Sequence, residues 1–329
     1  MKVCVYVEWE SQVSKSGIGT SARQQRKALR KNCIEVTDDP SDDYDVIDIN
    51  TVGPKSLYHL KKAQTNGKPA VVHAHTTAKD FRDSFRGSNL LAPALRRYLS
   101  FFYSRADAVI VPSDYTKGVV EGYGIEPPVR AVSNGVDIES LEGHEELREE
   151  YREKYDLDGT VVFAVGHVFE RKGLSTFCKL AQRMPETDFI WFGPVMDNPL
   201  GSKQTKRWIE NPPDNVEFTG FIEDIRGGFG AGDVFLFPTK EENQGIAVLE
   251  AMACEKGVVV SDLPVFDEFL TDGENCFKGE NIDEYEEAIE RMRDDELRNG
   301  MGKNARREAE KHSLENVGES LIDVYDSLL

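Results

Sequence analysis

The sequence predicts an α/β protein built from two doubly wound, parallel-sheet domains. Three observations carry that expectation. Short apolar runs rich in Val, Ile and Phe alternate with amphipathic helical stretches, the runs fall into two series, and a charged stretch without strand character, Glu139–Asp158, separates the series. Strand–helix alternation at this spacing requires parallel strands joined by crossover helices. The runs are apolar at successive positions, as strands covered on both faces must be.

In chain order the first series comprises Lys2–Val7, Asp45–Asn50, Ala70–His73, Ala108–Val111 and Val129–Val132. The second comprises Thr160–Val165, Asp188–Phe192, Asn215–Phe218, Val234–Phe237 and Val258–Ser261. Helical patterns cover Ser21–Lys31, Lys55–Thr65, Leu174–Arg183 and Asp283–Met292. His144–Tyr155 reads as a surface helix leading into the second sheet, and Leu314–Leu329 as a further amphipathic helix. The domains are therefore expected at 1–150 and 151–313. A chain of 329 residues is long for one core and sufficient for two.

Composition narrows the function. A net charge of −19 repels nucleic acid, so a nucleic-acid partner is not expected. The same charge resembles the acidic surfaces of salt-adapted proteins, and equally suits an ordinary acidic cytoplasmic enzyme. The opening MKVCVYVEWE is too short and too acidic for a signal peptide and reads as a core strand. No run approaches the roughly 20 apolar residues that span a bilayer. Cys4, Cys33, Cys178, Cys254 and Cys276 are scattered and odd in number, which points to a reducing, cytoplasmic setting.

Ligands of such sheets bind beyond the carboxyl ends of the strands, so the loops there are the places to look for chemistry. The first, Ser14–Thr20, carries Gly17 and Gly19, which let backbone amides approach an anion at a helix N-terminus. The complete dinucleotide fingerprint is absent, because Ala22 holds the place of its third glycine. Farther on, His73 and His75 sit two residues apart at a strand end. A metal would need a third ligand, and none clusters nearby, so no metal is expected. His75, the farther past the strand, is the candidate to hydrogen-bond a substrate hydroxyl or stabilise developing charge, and His73 reads as structural.

In the second series Arg171 and Lys172 stand side by side between a strand and a helix. Two cations beside a helix N-terminus neutralise a diphosphate without a divalent ion. The run Val234–Glu250 then places Glu242 in a loop and Glu250 on the following helix, with the amides of Gln244, Gly245 and Ile246 at the helix start. A leaving diphosphate there would meet the helix end, Glu242 would orient sugar hydroxyls, and Glu250 would accept from a ribose. Lys79–Arg105 carries six basic and two acidic residues among Leu and aromatic side chains. Arg82, Arg86, Arg96 and Arg97 are its candidate acceptor or membrane contacts. A basic helix with an apolar face suits a membrane interface, and the same pattern suits a core helix with a basic outer face.

Glu242 and Glu250 match the E-x7-E signature of the retaining glycosyltransferases of family 4, and the chain resembles that family along nearly its whole length. Arg171-Lys172-Gly173 is similar to the family's donor-phosphate segment, Asn134–Asp137 to its turn before the interdomain linker, and Pro112-Ser113 to its strand-end motif. The resemblance implies the GT-B fold: two Rossmann-like domains whose sheets face a central cleft, the C-terminal helix 314–329 crossing back to the first. It implies a nucleotide-sugar donor, UDP-linked by preference, retention of anomeric configuration, and neither cofactor nor essential metal. Glu242 would contact the transferred sugar, Glu250 the ribose, Arg171 and Lys172 the diphosphate, and His75 the reacting centre. Two positions depart from the pattern: His167 stands where an arginine is usual, and Gln244 where an aromatic residue is frequent. Lys15–Gly19, His73–Thr77, Phe169–Gly173 and Glu242-Asn243-Gln244-Gly245-Ile246 are similar to one subgroup, the enzymes that glycosylate glucosylated diacylglycerol. That similarity implies a glycolipid acceptor at the inner membrane surface.

Two rival readings remain at this level. A one-domain, metal-dependent glycosyltransferase would use Asp43-Tyr44-Asp45 or Asp156-Leu157-Asp158 as its D-x-D motif. A non-catalytic nucleotide-sugar binder would keep Arg171 and Lys172 and give Glu242 no chemical role. A soluble or polysaccharide acceptor is the alternative to a glycolipid.

Overall fold

The computed structural model of the chain describes residues 1–81, 87–195 and 203–329. It divides into two compact units, one of residues 1–81, 89–136 and 312–329, the other of residues 137–311.

In the first unit the strands are β1 (Lys2–Tyr6), β2 (Glu35–Thr37), β3 (Val46–Ile49), β4 (Ala70–His73), β5 (Ala108–Val111) and β6 (Val129–Ala131). They pair in the order β2-β1-β3-β4-β5-β6, all parallel. Successive strand residues serve opposite faces. Val3, Val5, Val46 and Val71 pack beneath the C-terminal helix Leu314–Asp326, while Cys4, Ile47, Ile49 and Val72 pack with Leu99, Phe102 and Tyr103 on the other side. That helix brings Leu314, Val317, Leu321 and Tyr325 back onto the first sheet. Each such burial contributes about 1.5–3 kcal/mol, enough to hold the segment there.

The second unit contains β7 (Val161–Val165), β8 (Asp188–Phe192), β9 (Val216–Gly220), β10 (Val234–Phe237), β11 (Gly257–Ser261) and β12 (Phe277–Gly279), in the parallel order β12-β11-β10-β7-β8-β9. The chain builds outward from β7 through β8 and β9, then resumes with β10 on β7's other side. The strand order thus reverses between β7 and β10, the place where open α/β sheets leave a crevice for ligands. In the first sheet the equivalent reversal falls between β1 and β3.

The ten expected strands form within a residue or two of their expected ends. Among the described residues each sheet gains one more, β2 and β12. Both are three-residue edge strands, too short for a period of two to register in sequence. The expected helix His144–Tyr155 is split into a 3₁₀ turn, His144–Leu147, and an α-helix, Arg148–Tyr155. These segments belong with the second unit, so the boundary expected at residue 150 lies at Val136/Asp137, and the end expected at 313 lies at Lys311. The reason is an ion cluster: Arg148 and Arg152 both reach the buried Asp233 carboxylate, at 2.7 and 2.6 Å, and Asp233 in turn accepts from the Val161 amide.

Candidate functional site

The reversal point of the second sheet is lined by the loops after β7 and β10, and both are held by local backbone chemistry. After β7 the chain makes a 3₁₀ turn, Glu170–Lys172, and enters the helix Leu174–Arg183 through Gly173 at φ 87°. A Cβ at Gly173 would lie 2.2 Å from the Pro238 carbonyl oxygen, so the two loops touch here through a residue that must be glycine. After β10 the loop runs to Gly245, at φ 95°, which opens the helix Ile246–Ala253.

Polar contacts lock the loops together. The Lys240 amide and the Thr239 hydroxyl donate to the Arg171 carbonyl at 2.8 and 3.1 Å. Arg171 Nη1 donates to the Glu241 carbonyl at 2.7 Å, and Lys240 pairs with Glu170 at 2.8 Å. Lys172 Nζ forms an ion pair with Glu242 Oε2 and lies 4.7 Å from the centre of the Phe237 ring. From the far side Ser261 donates to the Thr239 carbonyl, and Tyr285 donates to Ser261.

The electrostatics follow from this geometry. Burial works to raise the Glu242 carboxyl, but the charges of Lys172 and Arg171, with hydrogen bonds from Lys172 and the Asn243 amide, outweigh it and hold the group below its ordinary range. Glu242 is therefore an anion at neutral pH, an acceptor able to bind sugar hydroxyls. Burial, reinforced by Lys172, pushes His167 below the usual imidazole value. His167 is thus neutral at pH 7 and does not replace the charge of the arginine that the resemblance expects there.

The sequence candidates of this unit lie on the two loops and the helix start that line this reversal point. Arg171 is only 9% exposed, its guanidinium on the Glu241 carbonyl and beside the Phe169 ring. There it braces the loop and adds positive charge to the surroundings of Glu242. Asn243 and Gln244 are buried under the loop, while Ile246 and Glu250, one turn apart, share the less buried face of their helix. The first amides of that helix have no preceding turn to donate into, which gives its N-terminus a partial positive charge. Together with Lys172, this end of the helix offers an anion both donors and charge.

In the first unit His75 follows β4, its Nε2 2.8 Å from Asn50 Oδ1 and its ring stacked on His73 at 4.6 Å. Burial, then His73, drives His75 well below the ordinary imidazole value. Gly17 opens the helix Gly17–Lys31, and a side chain there would meet open space. At Gly19 a Cβ would lie 2.4 Å from the Val13 carbonyl oxygen, so its smallness also serves packing against the preceding turn. Arg82 and Arg86 lie outside the described residues. Of the basic segment, Ser88–Tyr103 is a helix. Leu99, Phe102 and Tyr103 are core, whereas Leu90 is 85% and Phe101 43% exposed, so the apolar residues of the segment are divided between the core and the surface. Arg97 is exposed; Arg96 is engaged, donating to the Gly122 carbonyl and lying over the Tyr123 ring.

The two D-x-D candidates fall at the amino ends of strands, Asp43 and Asp45 before β3 and Asp156 and Asp158 before β7, opposite the edge where ligands bind. Asp43 pairs with Lys68, and Asp45 accepts from the Lys2 amide. Sequence reasoning missed Gln25, Asp48 and Tyr325 behind His75, and Thr239, Ser261 and Tyr285 behind the Lys172 loop. Asp48, Thr239 and Ser261 at least lie in or just after strands, whereas Gln25, Tyr285 and Tyr325 lie on helices with no local signal, because their partners are distant in the chain.

Comparison with known proteins agrees with this architecture. Residues 147–308 match the family described as Glycosyl transferases group 1, and residues 15–140 match Glycosyltransferase Family 4. The chain is 35% identical to the processive diacylglycerol alpha-glucosyltransferase of Acholeplasma laidlawii, covering 100% of this chain and 99% of that protein. It is 26% identical to the alpha-galactosylglucosyldiacylglycerol synthase of Streptococcus pneumoniae, over 95% of this chain and 86% of that one. Among solved structures, Anabaena Alr3699/HepE in complex with UDP-glucose superposes with a TM-score of 0.79 at 18% identity, covering 99% of this chain and 100% of that one. At that identity the likeness concerns the fold, two Rossmann-like domains of the GT-B type.

Proposed function

The chain belongs to the glycosyltransferases of group 1 and family 4, and from that premise we propose that it moves glucose from UDP-glucose onto diacylglycerol or a glycosylated diacylglycerol, with retention of configuration and without a metal ion. The relatives at 35% and 26% identity support a lipid acceptor, since one is named a diacylglycerol glucosyltransferase and the other a galactosylglucosyldiacylglycerol synthase. The observation that carries the reading is the pairing of Lys172 with Glu242 at the reversal point of the second sheet, beside the N-terminus of Ile246–Ala253.

The chemistry follows from those groups. The bond between the anomeric carbon and the diphosphate oxygen breaks, and its electron pair stays on the diphosphate. Lys172 and the helix amides stabilise that charge, which in a site shielded from water lowers the barrier by several kcal/mol. The acceptor oxygen attacks from the face the diphosphate is leaving, through an ion-pair-like transition state, and its proton passes to the departing phosphate oxygen. Glu242 holds hydroxyls of the transferred sugar, Glu250 the ribose, and His75 a hydroxyl near the reacting carbon. No helix among the described residues is long and apolar enough to cross a membrane. A lipid acceptor would then be met at the cytoplasmic membrane surface through the exposed apolar and basic face of Ser88–Tyr103.

The test is a matrix of UDP-glucose, UDP-galactose and GDP-mannose against diacylglycerol and glucosyl-diacylglycerol in vesicles, with and without chelator. An α-linked glucolipid formed equally well in chelator is the expected product. Intact donors in every well would leave only a binding protein, and loss of transfer in chelator would restore the metal-dependent reading.

A further inference from the structure

Behind His75 runs a chain of buried polar side chains. Asp48, on β3, is completely buried, as is Tyr325 of the Leu314–Asp326 helix, and Gln25 and Asn50 are nearly so. Tyr325 donates its hydroxyl proton to Asp48 Oδ2 at 2.7 Å. Gln25 Nε2 donates to the same oxygen at 2.7 Å and to the Tyr325 oxygen at 3.0 Å. Asn50 Nδ2 donates to Gln25 Oε1 at 2.9 Å, and Asn50 Oδ1 lies 2.8 Å from His75 Nε2.

The direction of every bond in this chain is dictated from one end. A carboxylate only accepts, so Gln25 must turn its NH₂ toward Asp48 and its oxygen toward Asn50. Asn50 must then present its NH₂ to Gln25 and its oxygen to His75. An oxygen acceptor at 2.8 Å requires a proton on Nε2. We propose that Asp48 is a positioning residue for His75: acting through Gln25 and Asn50, it fixes the Nε2–H tautomer, in which Nδ1 is the acceptor nitrogen of the ring. His73 completes the device. Its ring lies parallel to that of His75, within 10°, and its Nδ1 is 3.8 Å from Asp48 Oδ2, so it holds the plane in which the tautomer is presented. Because burial keeps His75 neutral, the variable left to control is which nitrogen carries its one proton. Two primary amides pass the polarity of the carboxylate to the ring without passing a charge. The significance of the tautomer for transfer rests on the reading of His75 given above; the tautomer itself does not.

The experiment records nitrogen–proton correlations of the imidazole rings in full-length, ¹⁵N-histidine-labelled protein, with His75 assigned by the signals lost in His75→Gln. Wild type is expected to show one tautomer, protonated at Nε2. Gln25→Leu, which does not touch His75, frees the Asn50 amide to turn and is expected to give mixed tautomers. Asp48→Asn removes the acceptor-only end and does the same, so the test survives if either variant fails to fold. The double variant Gln25→Leu/Asn50→Asp restores an oxygen-only partner and is expected to return His75 to Nε2–H. A wild-type proton on Nδ1, an unchanged tautomer in both single variants, or a double variant that stays mixed would each overturn the relay. In transfer assays Gln25→Leu should lower kcat by roughly ten- to a hundredfold, the usual effect of losing a group that orients a histidine, with donor binding retained. If wild type transfers no sugar at all, the functional reading fails while the tautomer result stands.

Discussion

Glu242 shows how a single side chain can be an anion inside a protein. Removing a carboxylate from water favours its neutral form, and here Lys172 in direct contact and Arg171 behind reverse that preference. The same contact means that Lys172 is held in place before any diphosphate arrives. A preorganised cation loses little freedom on binding, which is why it is effective against charge that develops during bond breaking. Lys172→Ala should therefore reduce kcat/KM by roughly 2–4 kcal/mol of transition-state stabilisation, measured from initial rates with UDP-glucose. Wild-type turnover in that variant would remove Lys172 from the phosphate site. The two glutamates and the two cations were readable from sequence because strand–loop–helix context singles them out among 59 acidic and 40 basic residues. The division of labour between the cations was not, since only the folded loops show Arg171 turned onto the Glu241 carbonyl.

Among the elements, the Ser88–Tyr103 helix is apolar on two faces. Ala92, Leu95, Leu99 and Phe102 pack into the first unit, while Leu90, Leu91, Arg97, Tyr98 and Phe101 are exposed. At 100° per residue Leu90, Arg97 and Phe101 fall on one stripe, the arrangement of a helix lying in a lipid interface. Arg97→Glu reverses one charge on that stripe and should weaken association with anionic-lipid vesicles by roughly ten- to thirtyfold in flotation assays. Binding indistinguishable from wild type would make the exposed residues incidental. The helix itself was legible from its periodicity, but which side would be covered was not. Both sides carry apolar residues, and only the packing of Leu99, Phe102 and Tyr103 beneath the sheet distinguishes them.

At the scale of the whole molecule, His59, His75, His144 and His167 are all shifted down, each chiefly by burial. The unfolded chain takes up protons on histidine near pH 6.5, while the folded chain resists until lower pH. Stability contributed this way is complete above about pH 6.5 and is lost as pH falls toward the folded values, by up to about 1.4 kcal/mol per unit for each group. Acidification also relieves the self-repulsion of a net charge of −19, which opposes the loss. A comparison between wild type and His75→Gln cancels the charge term. Between pH 7.5 and 5.5 the wild type should lose about 1 kcal/mol more than the variant in chemical denaturation. Parallel pH profiles would show that His75 titrates normally in the folded state.

Linear order was enough for the class of architecture, the two series of strands, the glycine turns and the acidic and basic residues beside a ligand edge. Those signals act over a few residues, where periodicity and backbone sterics operate. Folding decided what reaches across the chain: that Lys172 meets Glu242 seventy positions later, that Arg148 and Arg152 commit the 138–155 segment to the second unit through Asp233, and that Tyr325 comes back 277 positions to a carboxylate on β3. Such pairs leave no local pattern, because burial and hydrogen-bond satisfaction are settled only when distant strands and helices have packed.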